Sequence, residues 1–394
     1  MQVWLSFIIS LILIMFISRK SLWFGLLIGA LFLGAINLPF RELYVIIHTT
    51  LIDQKIILLA TAVGIIPLIG GGLQISGLMK DLVDNLQVKR RVFLGLSPAL
   101  MGLLPIPGGA LLSAPMLNRS GSDIKPETYT AINIWFRHIL ILIYPLGSLL
   151  TCSKMGNFDV YQAMIFIFPI FLVLFILGYF FFLHHIKGDM PKPHKLNIIK
   201  LLIPLFIIIS APIIHTFLKM ASLMDEMALV IAVTITLILT FLFGKMKPVQ
   251  LFPLLKKMKP WKYFLIIIAI FLFLRIFQAT AISDKISQLS FSKNYLIIVI
   301  AGILSFVTGR VQLPISILIP IFLTKFGTDQ FTILAFVIMY VAVYLGYMIS
   351  PVHPCIIVSL EYFKTSYWKF MKKAYLPTLI SFVLLFIFSL IVIN

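Results

Sequence analysis

Hydrophobic residues in this chain occur in long blocks that short polar segments separate. Three clear blocks run over 3–17, 22–38 and 379–392. Each block approaches the ~17–25 residues that a helix needs to cross a hydrocarbon core of about 30 Å. The pattern predicts an all-α integral membrane protein. About ten transmembrane helices are expected, at 3–18, 21–38, 55–79, 128–152, 160–184, 197–218, 226–244, 262–283, 330–363 and 374–393.

Two further apolar segments have turn-forming residues at their centres. Residues 92–118 are interrupted by Pro105, Pro107, Gly108 and Gly109. Residues 294–325 are interrupted by Gly309, Arg310 and Gln312. Each arm has ~12–16 residues, or about 18–24 Å at helical rise, which is short for a full crossing. We expect two re-entrant hairpins, with proline-kinked spanning helices as the alternative.

The two halves of the chain have the same order of elements. The first repeat is assigned to 1–186, with hairpin 92–118 and broken helix 128–152. The second repeat is assigned to 187–394, with hairpin 294–325 and broken helix 330–363. Each half crosses the membrane an odd number of times, so the second must be inverted relative to the first. Inverted repeats are a common architecture of secondary transporters.

Prolines interrupt one spanning helix in each half. Pro145 and Gly147 interrupt the first, and Ser350, Pro351 and His353 interrupt the second. A proline inside a helix removes a donor and frees a carbonyl. Broken helices therefore expose dipole ends and carbonyls that bind substrate and a coupling ion, while a packing kink is the simpler alternative.

Composition and charge support the membrane assignment. The chain is 61% hydrophobic and 11% charged, whereas a soluble surface needs roughly a quarter to a third of charged residues. The net charge of +19 lies mainly in short loops, which disfavours a nucleic-acid partner. The side of the membrane that the chain reaches after its first span has roughly three times as many loop Lys and Arg residues as the other side. The side with more positive charge is normally the cytoplasm. We expect a multi-pass protein of the cell (cytoplasmic) membrane, in contact with the lipid bilayer, with both termini outside.

Three arginines fall at membrane depth in this map, namely Arg137, Arg275 and Arg310. Unpaired cations there are costly, so such residues face an interior and indicate function. Only one carboxylate, Glu361, is expected to be drawn inward. One carboxylate cannot neutralise three arginines, and guanidinium groups pair naturally with carboxylate or phosphate. We therefore expect a small anionic solute; backbone carbonyls are the alternative counter-charge.

The candidate residues comprise the interrupted segments and the polar positions beside them. The substrate-binding candidates are Pro105, Pro107, Gly108, Gly109, Ser113, Asn133, Arg137, Pro145, Gly147, Arg275, Gly309, Arg310, Gln312, Ser350, Pro351 and His353. The coupling candidates are His138, His353 and Glu361, with H+ or Na+ as the coupling ion. No spacing of the two cysteines indicates a metal site or a disulfide, and no cofactor is expected.

Two of these stretches resemble a known family. They are Gly102 to Pro115, and Ser350 to His353 followed by Ser359 to Phe363. They resemble the domain-of-unknown-function family 401, predicted membrane proteins grouped with the ion transporter superfamily, over nearly the whole chain. The architecture is more distantly similar to gluconate permeases and divalent anion:sodium symporters.

This resemblance implies that hairpin tips and broken helices surround the substrate and a coupling ion, with elevator-type movement and a homodimer. The paired Ser-Asn-Thr motifs of the symporters are absent, so sodium coupling and dicarboxylate specificity do not carry over. We expect an ion-coupled secondary transporter, a symporter of small organic anions of the carboxylate class. An ion channel is the alternative. A membrane-embedded enzyme is less favoured, because no catalytic motif such as HExxH occurs.

Overall fold

The computed structural model describes residues 2–103, 110–121, 123–190 and 196–393, and no strand occurs among them. The helices of the first half are α1 Gln2–Ser18, α2 Leu22–Asn37, α3 Phe40–Ile52, α4 Gln54–Ile75, α5 Leu78–Asp84, α6 Arg90–Gly102, α7 Ala110–Asn118, α8 Pro126–Ile143, α9 Ser148–Met155 and α10 Val160–Gly178. The helices of the second half are α11 Ile198–Met220, α12 Asp225–Phe243, α13 Leu251–Met258, α14 Pro260–Ala279, α15 Ile282–Ser287, α16 Ala301–Thr308, α17 Gln312–Phe326, α18 Ile333–Ile349, α19 Pro354–Tyr362 and α20 Tyr367–Val392. Turns of π helix extend α10 over Tyr179–Leu183 and precede α16 over Tyr295–Ile300.

Many of these helices are long and apolar enough to cross a membrane. Within the described ranges there are seven, or eight if the bent pair α8 and α9 counts as one span. The apolar helices α1 and α2 are shorter, with 17 and 16 residues, or about 26 and 24 Å at helical rise. Both helices are among the ten spans predicted from the sequence, and this accounts for the larger predicted total. The chain has the character of a multi-pass membrane protein.

Both predicted breaks interrupt their helices where the prolines lie. The first break is defined here as residues 144–147, and it bends α8 against α9 by 46°. The second break is residues 350–353, between α18 and α19, which together form one 30-residue candidate span. The helix pair α6 and α7 is called the first hairpin, and α16 and α17 the second hairpin. The tip of the first hairpin, 104–109, contains Pro105, Pro107, Gly108 and Gly109 and lies outside the described residues.

Helix packing follows a matched pattern in the two halves. Helix α1 packs on α2, as α11 packs on α12. Helix α2 packs on α14, as α12 packs on α4. In each half the first arm of the hairpin contacts the first arm of the broken helix, so α6 packs on α8 and α16 on α18. The second arms pack crosswise, because α9 contacts α17 and α19 contacts α7.

Helix α3 was not predicted from the sequence. The pattern places a connection between α2 and α4, and the structure forms the 13-residue helix α3 there. Its start at Phe40 follows a proline, and its end precedes Asp53, which caps α4 by accepting from the amides of Lys55 and Ile56. Phe40 is 85% exposed. The helix is amphipathic and too short to span, so a search for apolar blocks does not detect it.

Carboxylates form ion pairs near helix ends. Asp225 and Glu226, at the start of α12, pair with Lys154 of α9. Lys219 of α11 pairs with Asp225 and Asp159. At another site Arg90 pairs with Asp123, and this guanidinium holds the pKa of the Asp123 carboxyl below its ordinary value. These carboxylates neutralise lysines and arginines at the ends of the bundle.

Candidate functional site

A cavity of about 300 Å³ lies where the second hairpin approaches both breaks, and it is called the central cavity. Its walls come from α4, α6, α8, α9, α14, α18, α19 and the turn between α16 and α17. Its polar or titratable lining side chains are Arg137, His138, Tyr144, Ser148, Thr151, Tyr263, Arg310, Gln312, Tyr344, Tyr347 and Cys355. The two halves of the chain therefore contribute to one site.

Arg137 reaches this cavity from the last turns of α8. Its residue is only 3% exposed, and its guanidinium donates to the Ser113 hydroxyl of α7 at 3.5 Å. Gly102 lets α6 end close to α8. A Cβ at Gly102 would lie 1.8 Å from the Arg137 carbonyl oxygen, so any larger residue would push the helices apart. The first hairpin thus fixes the backbone that carries Arg137.

Arg310 enters the cavity from the turn of the second hairpin. Gly309 ends α16 in the left-handed region at φ +60°, and a Cβ there would lie 2.9 Å from Val352 of the second break. The Arg310 guanidinium donates to the carbonyl of Ser18 at 2.6 Å, and its own carbonyl accepts from Ser305 at 2.9 Å. No carboxylate of the described residues pairs with Arg310.

The electrostatic character of the cavity is positive. Arg137 and Arg310 line it, whereas no Asp or Glu does so among the described residues. Helices α9, α17 and α19 begin there, at Ser148, Gln312 and Pro354. The N-terminal end of a helix carries a partial positive charge and free amide groups, although Pro354 itself has no amide hydrogen. These features together favour an anion.

The second break presents aromatic and imidazole groups next to the cavity. The Tyr347 and His353 rings stack with centroids 3.8 Å apart, and the His138 ring meets His353 edge-on at 4.8 Å. His353 and Ser350 are fully buried, while Pro351 is exposed in the turn. The Tyr367 hydroxyl donates to the Ile349 carbonyl at 2.6 Å and ties the end of α18 to α20.

The structure brings several predicted site residues together in one place. Arg137, His138, Gly147, Gly309, Arg310 and Gln312 line the central cavity. Three others lie close behind its walls: Ser113 contacts Arg137, Asn133 donates to Ser359 of α19 at 2.9 Å, and Pro145 is buried within the first break. The hydrogen bond from Asn133 to Ser359 links α8 directly to the second broken helix.

Two sequence expectations need correction. Arg275 does not line the central cavity. It lies near the C-terminal end of α14, where it pairs with Asp53 and donates to the Thr50 hydroxyl at 3.3 Å. The ion pair could not be predicted from the sequence, because Asp53 is 222 residues away from Arg275 along the chain.

Glu361 is not drawn inward but is exposed on α19. Ser359, two residues earlier, is fully buried. Two residues are about 200° apart around a helix, so burial of Ser359 turns Glu361 outward. A break leaves the register of the following helix undetermined by the sequence, which explains the error.

Comparison with protein-family models identifies a family that covers nearly the whole chain. The model of the family described as "Protein of unknown function (DUF401)" matches residues 2–393. The chain belongs to this family. A comparison with curated proteins finds no match. The resemblance stated from residues 102–115 and 350–363 is thereby confirmed at the level of the family.

Several cavity residues of this DUF401 protein were not predicted from the sequence. Tyr263 of α14 and Thr151 of α9 line the cavity, and so does Cys355, at the start of α19. The position of Cys355 directly after the second break is a signal that could have identified it. Tyr263 carries no such signal, because its place depends on how α14 packs.

Proposed function

We propose that this DUF401 protein is an ion-coupled secondary active transporter for a small organic anion of the carboxylate class. The observation that carries the proposal is a cavity between the two breaks, lined by Arg137 and Arg310 and by no described carboxylate. A guanidinium binds a carboxylate through paired, charge-assisted hydrogen bonds, and these are stronger in a site shielded from water.

The size of the cavity supports a small solute. A volume of about 300 Å³ lies at the lower end of the range for small-molecule sites. The beginnings of α9 and α17 add backbone amides that can donate to an anion. The guanidinium of Arg310 and these two helix ends would then bind one substrate carboxylate or two.

The packing pattern supports the finer architecture that we propose, namely two inverted repeats and ten spans. The ten spans are α1, α2, α4, α8 with α9, α10, α11, α12, α14, α18 with α19, and α20. Matched contacts such as α6 with α8 and α16 with α18 are expected of a pseudo-two-fold arrangement. The charge distribution supports a cytoplasmic membrane location with both termini outside.

Alternating access of the elevator type is the movement we propose. The helices α1, α2, α4, α11, α12 and α14 pack mainly on one another, and the hairpins pack mainly on the broken helices. The central cavity has walls from both groups, with Val63 and Tyr263 on one side and Arg137 and Arg310 on the other. Sliding of one group against the other would carry the site between the two membrane faces.

The experiment is uptake by proteoliposomes that contain the purified full chain. A panel of radiolabelled mono-, di- and hydroxycarboxylates is offered, with an imposed H+ or Na+ gradient in separate arms. We expect saturable uptake of at least one carboxylate, acceleration by one of the two gradients, and counterflow. A gradient-independent, non-saturating flux or single-channel currents would contradict the proposal and favour a channel.

The matched control is an arginine outside the cavity. Arg310→Gln removes a cavity charge, and Arg275→Gln removes an equal charge that pairs with Asp53. We expect the first variant to lose uptake and the second to retain it per folded protein. Equal uptake by Arg310→Gln and wild type would sink the assignment of the site.

A further inference from the structure

Three side chains with metal-ligating atoms meet at the edge of the central cavity. They are His138 of α8, His353 of the second break and Cys355 of α19. Their ligand atoms all lie within 4.8 Å of one another. His138 and Cys355 line the cavity, and His353 packs behind them against Tyr347. The cluster joins the first half of the chain to the second.

The two ring nitrogens of His353 are buried in a way that calls for a ligand. Its residue is 0% exposed, and neither ring nitrogen makes a well-formed hydrogen bond to any described residue, although the Tyr347 carbonyl interacts with the ring. A buried polar atom without a hydrogen bond destabilises the folded state. Native structures rarely retain such atoms unless water, an ion or a ligand satisfies them.

The tautomer of His138 suits ligation. Its Nδ1 lies 2.6 Å from the carbonyl oxygen of Ile134. A carbonyl only accepts, so Nδ1 carries the hydrogen and Nε2 keeps its lone pair. Metal-ligating histidines commonly hold this arrangement, with the second nitrogen donating to a carbonyl that fixes the ring.

The donor set selects the class of metal. Two imidazoles and one thiol suit Zn²⁺ or Cu⁺, whereas Mg²⁺ and Ca²⁺ prefer oxygen ligands. Tetrahedral ligands at ~2.0–2.3 Å lie about 3.5 Å apart, so side-chain movements of about 1 Å would close the cluster.

We propose that His138, His353 and Cys355 bind a soft d¹⁰ metal ion, with the fourth position open to the cavity. A bound ion would connect α8 to the second break and to α19. Binding itself does not depend on the proposed transport. All three ligands belong to the group of hairpins and broken helices, so the ion would not bridge the proposed sliding interface, and binding and transport are measured separately.

The test is metal binding by the purified, metal-free full chain in detergent, with Co²⁺ and Cd²⁺ as spectroscopic probes. We expect a thiolate charge-transfer absorption that saturates at one ion per chain, and Zn²⁺ should displace Co²⁺. Zn²⁺ should also raise the apparent melting temperature, because a ligand that binds the folded state stabilises it. Mg²⁺ should do neither.

The two cysteines supply a matched pair of variants. Cys355→Ser should abolish the charge-transfer band and weaken metal binding at least about tenfold, whereas Cys152→Ser, at a buried position outside the cluster, should change neither. His138→Gln, checked for folding by its metal-free melting temperature, should weaken binding as well. No saturable band in wild type, or a band that persists in Cys355→Ser, would overturn the metal site. Neither outcome bears on carboxylate uptake in metal-free buffer, which alone tests the transporter.

Discussion

Arg275 and Arg310 both fall at membrane depth by sequence, yet the structure gives them different surroundings. Arg275 pairs with Asp53, the residue that also caps α4, and donates to Thr50. Arg310 lies in the turn of the second hairpin, where its guanidinium donates to the Ser18 carbonyl and lines the central cavity. Arg275 links two helices through its ion pair, whereas Arg310 presents its charge to the central cavity.

This difference shows that depth alone does not identify a functional arginine. The deciding feature is whether a carboxylate of the chain already neutralises the charge. Asp53 does so for Arg275, because the end of α14 lies beside the start of α4. For Arg310 no described carboxylate is placed to do so, and an anionic solute fits that role.

The largest effect is expected from removing the cavity charge. Arg310→Gln should lower the uptake efficiency for the transported carboxylate by about tenfold to a hundredfold, because a hydrogen bond to a charged group contributes about 1.5–3 kcal/mol. Arg310→Lys should retain part of the activity, since it keeps the charge but loses the bidentate geometry. Initial uptake rates over a range of substrate concentrations measure both. If the Arg310→Gln and Arg310→Lys variants had the same uptake efficiency, the positive charge would not be the property that determines uptake.

The next effect comes from displacing Arg137 without changing any charge. Gly102→Ala would place a Cβ 1.8 Å from the Arg137 carbonyl oxygen, and such overpacking costs about 1–3 kcal/mol. We expect impaired uptake in a folded protein. Gly64→Ala is the control, because Gly64 does not line the cavity and the nearest atom to a Cβ there is 3.4 Å away. Wild-type uptake by Gly102→Ala would show that the position of α8 does not set the site.

A smaller effect, on stability and not on transport, is expected at the other arginine. Arg275→Gln should lower the stability at neutral pH by about 1 kcal/mol, the upper range for a partly exposed ion pair. The apparent melting temperature of the purified protein in detergent measures this. A loss of uptake per folded protein, with unchanged stability, would reverse the distinction between the two arginines.

The pH dependence of that stability sharpens the comparison. Burial raises the pKa of Asp53, but hydrogen bonds from Arg275 and from the Ile56 amide outweigh it, so the folded-state pKa lies below its ordinary value. A depressed carboxyl pKa stabilises the fold above the unfolded pKa and loses this contribution as the pH falls through the folded pKa. The melting curves of wild type and Arg275→Gln should therefore differ most above about pH 5 and converge below about pH 4. A difference in melting temperature between wild type and Arg275→Gln that stays constant with pH would exclude the ion pair as its cause.

The helices and interruptions of this fold are readable from the sequence because they depend on local properties. Blocks of apolar residues predict the long helices, and Pro145 and Pro351 mark the breaks. Amphipathic α3 is not detected in this way, since its apolar face covers only part of a short helix. The outward turn of Glu361 is missed because the register of α19 follows from packing, not from the residues before it.

The candidate site is partly readable for the same reason. Arg137 and Arg310 stand out as charges in apolar surroundings. Their meeting in one cavity, and the pairing of Arg275 with Asp53, depend on contacts between helices far apart in the chain. The cluster of His138, His353 and Cys355 is likewise beyond a search for ligand spacing, because it is assembled from both halves.

The most direct test of the central claim is the position of a bound anion. A brominated analogue of the transported carboxylate, soaked into crystals of the full chain, reports its place by anomalous scattering. We predict a bromine peak in the central cavity, with the carboxylate within hydrogen-bond distance of the Arg310 guanidinium. A well-occupied peak elsewhere with the cavity unchanged, or equal occupancy in Arg310→Gln crystals, would contradict the account.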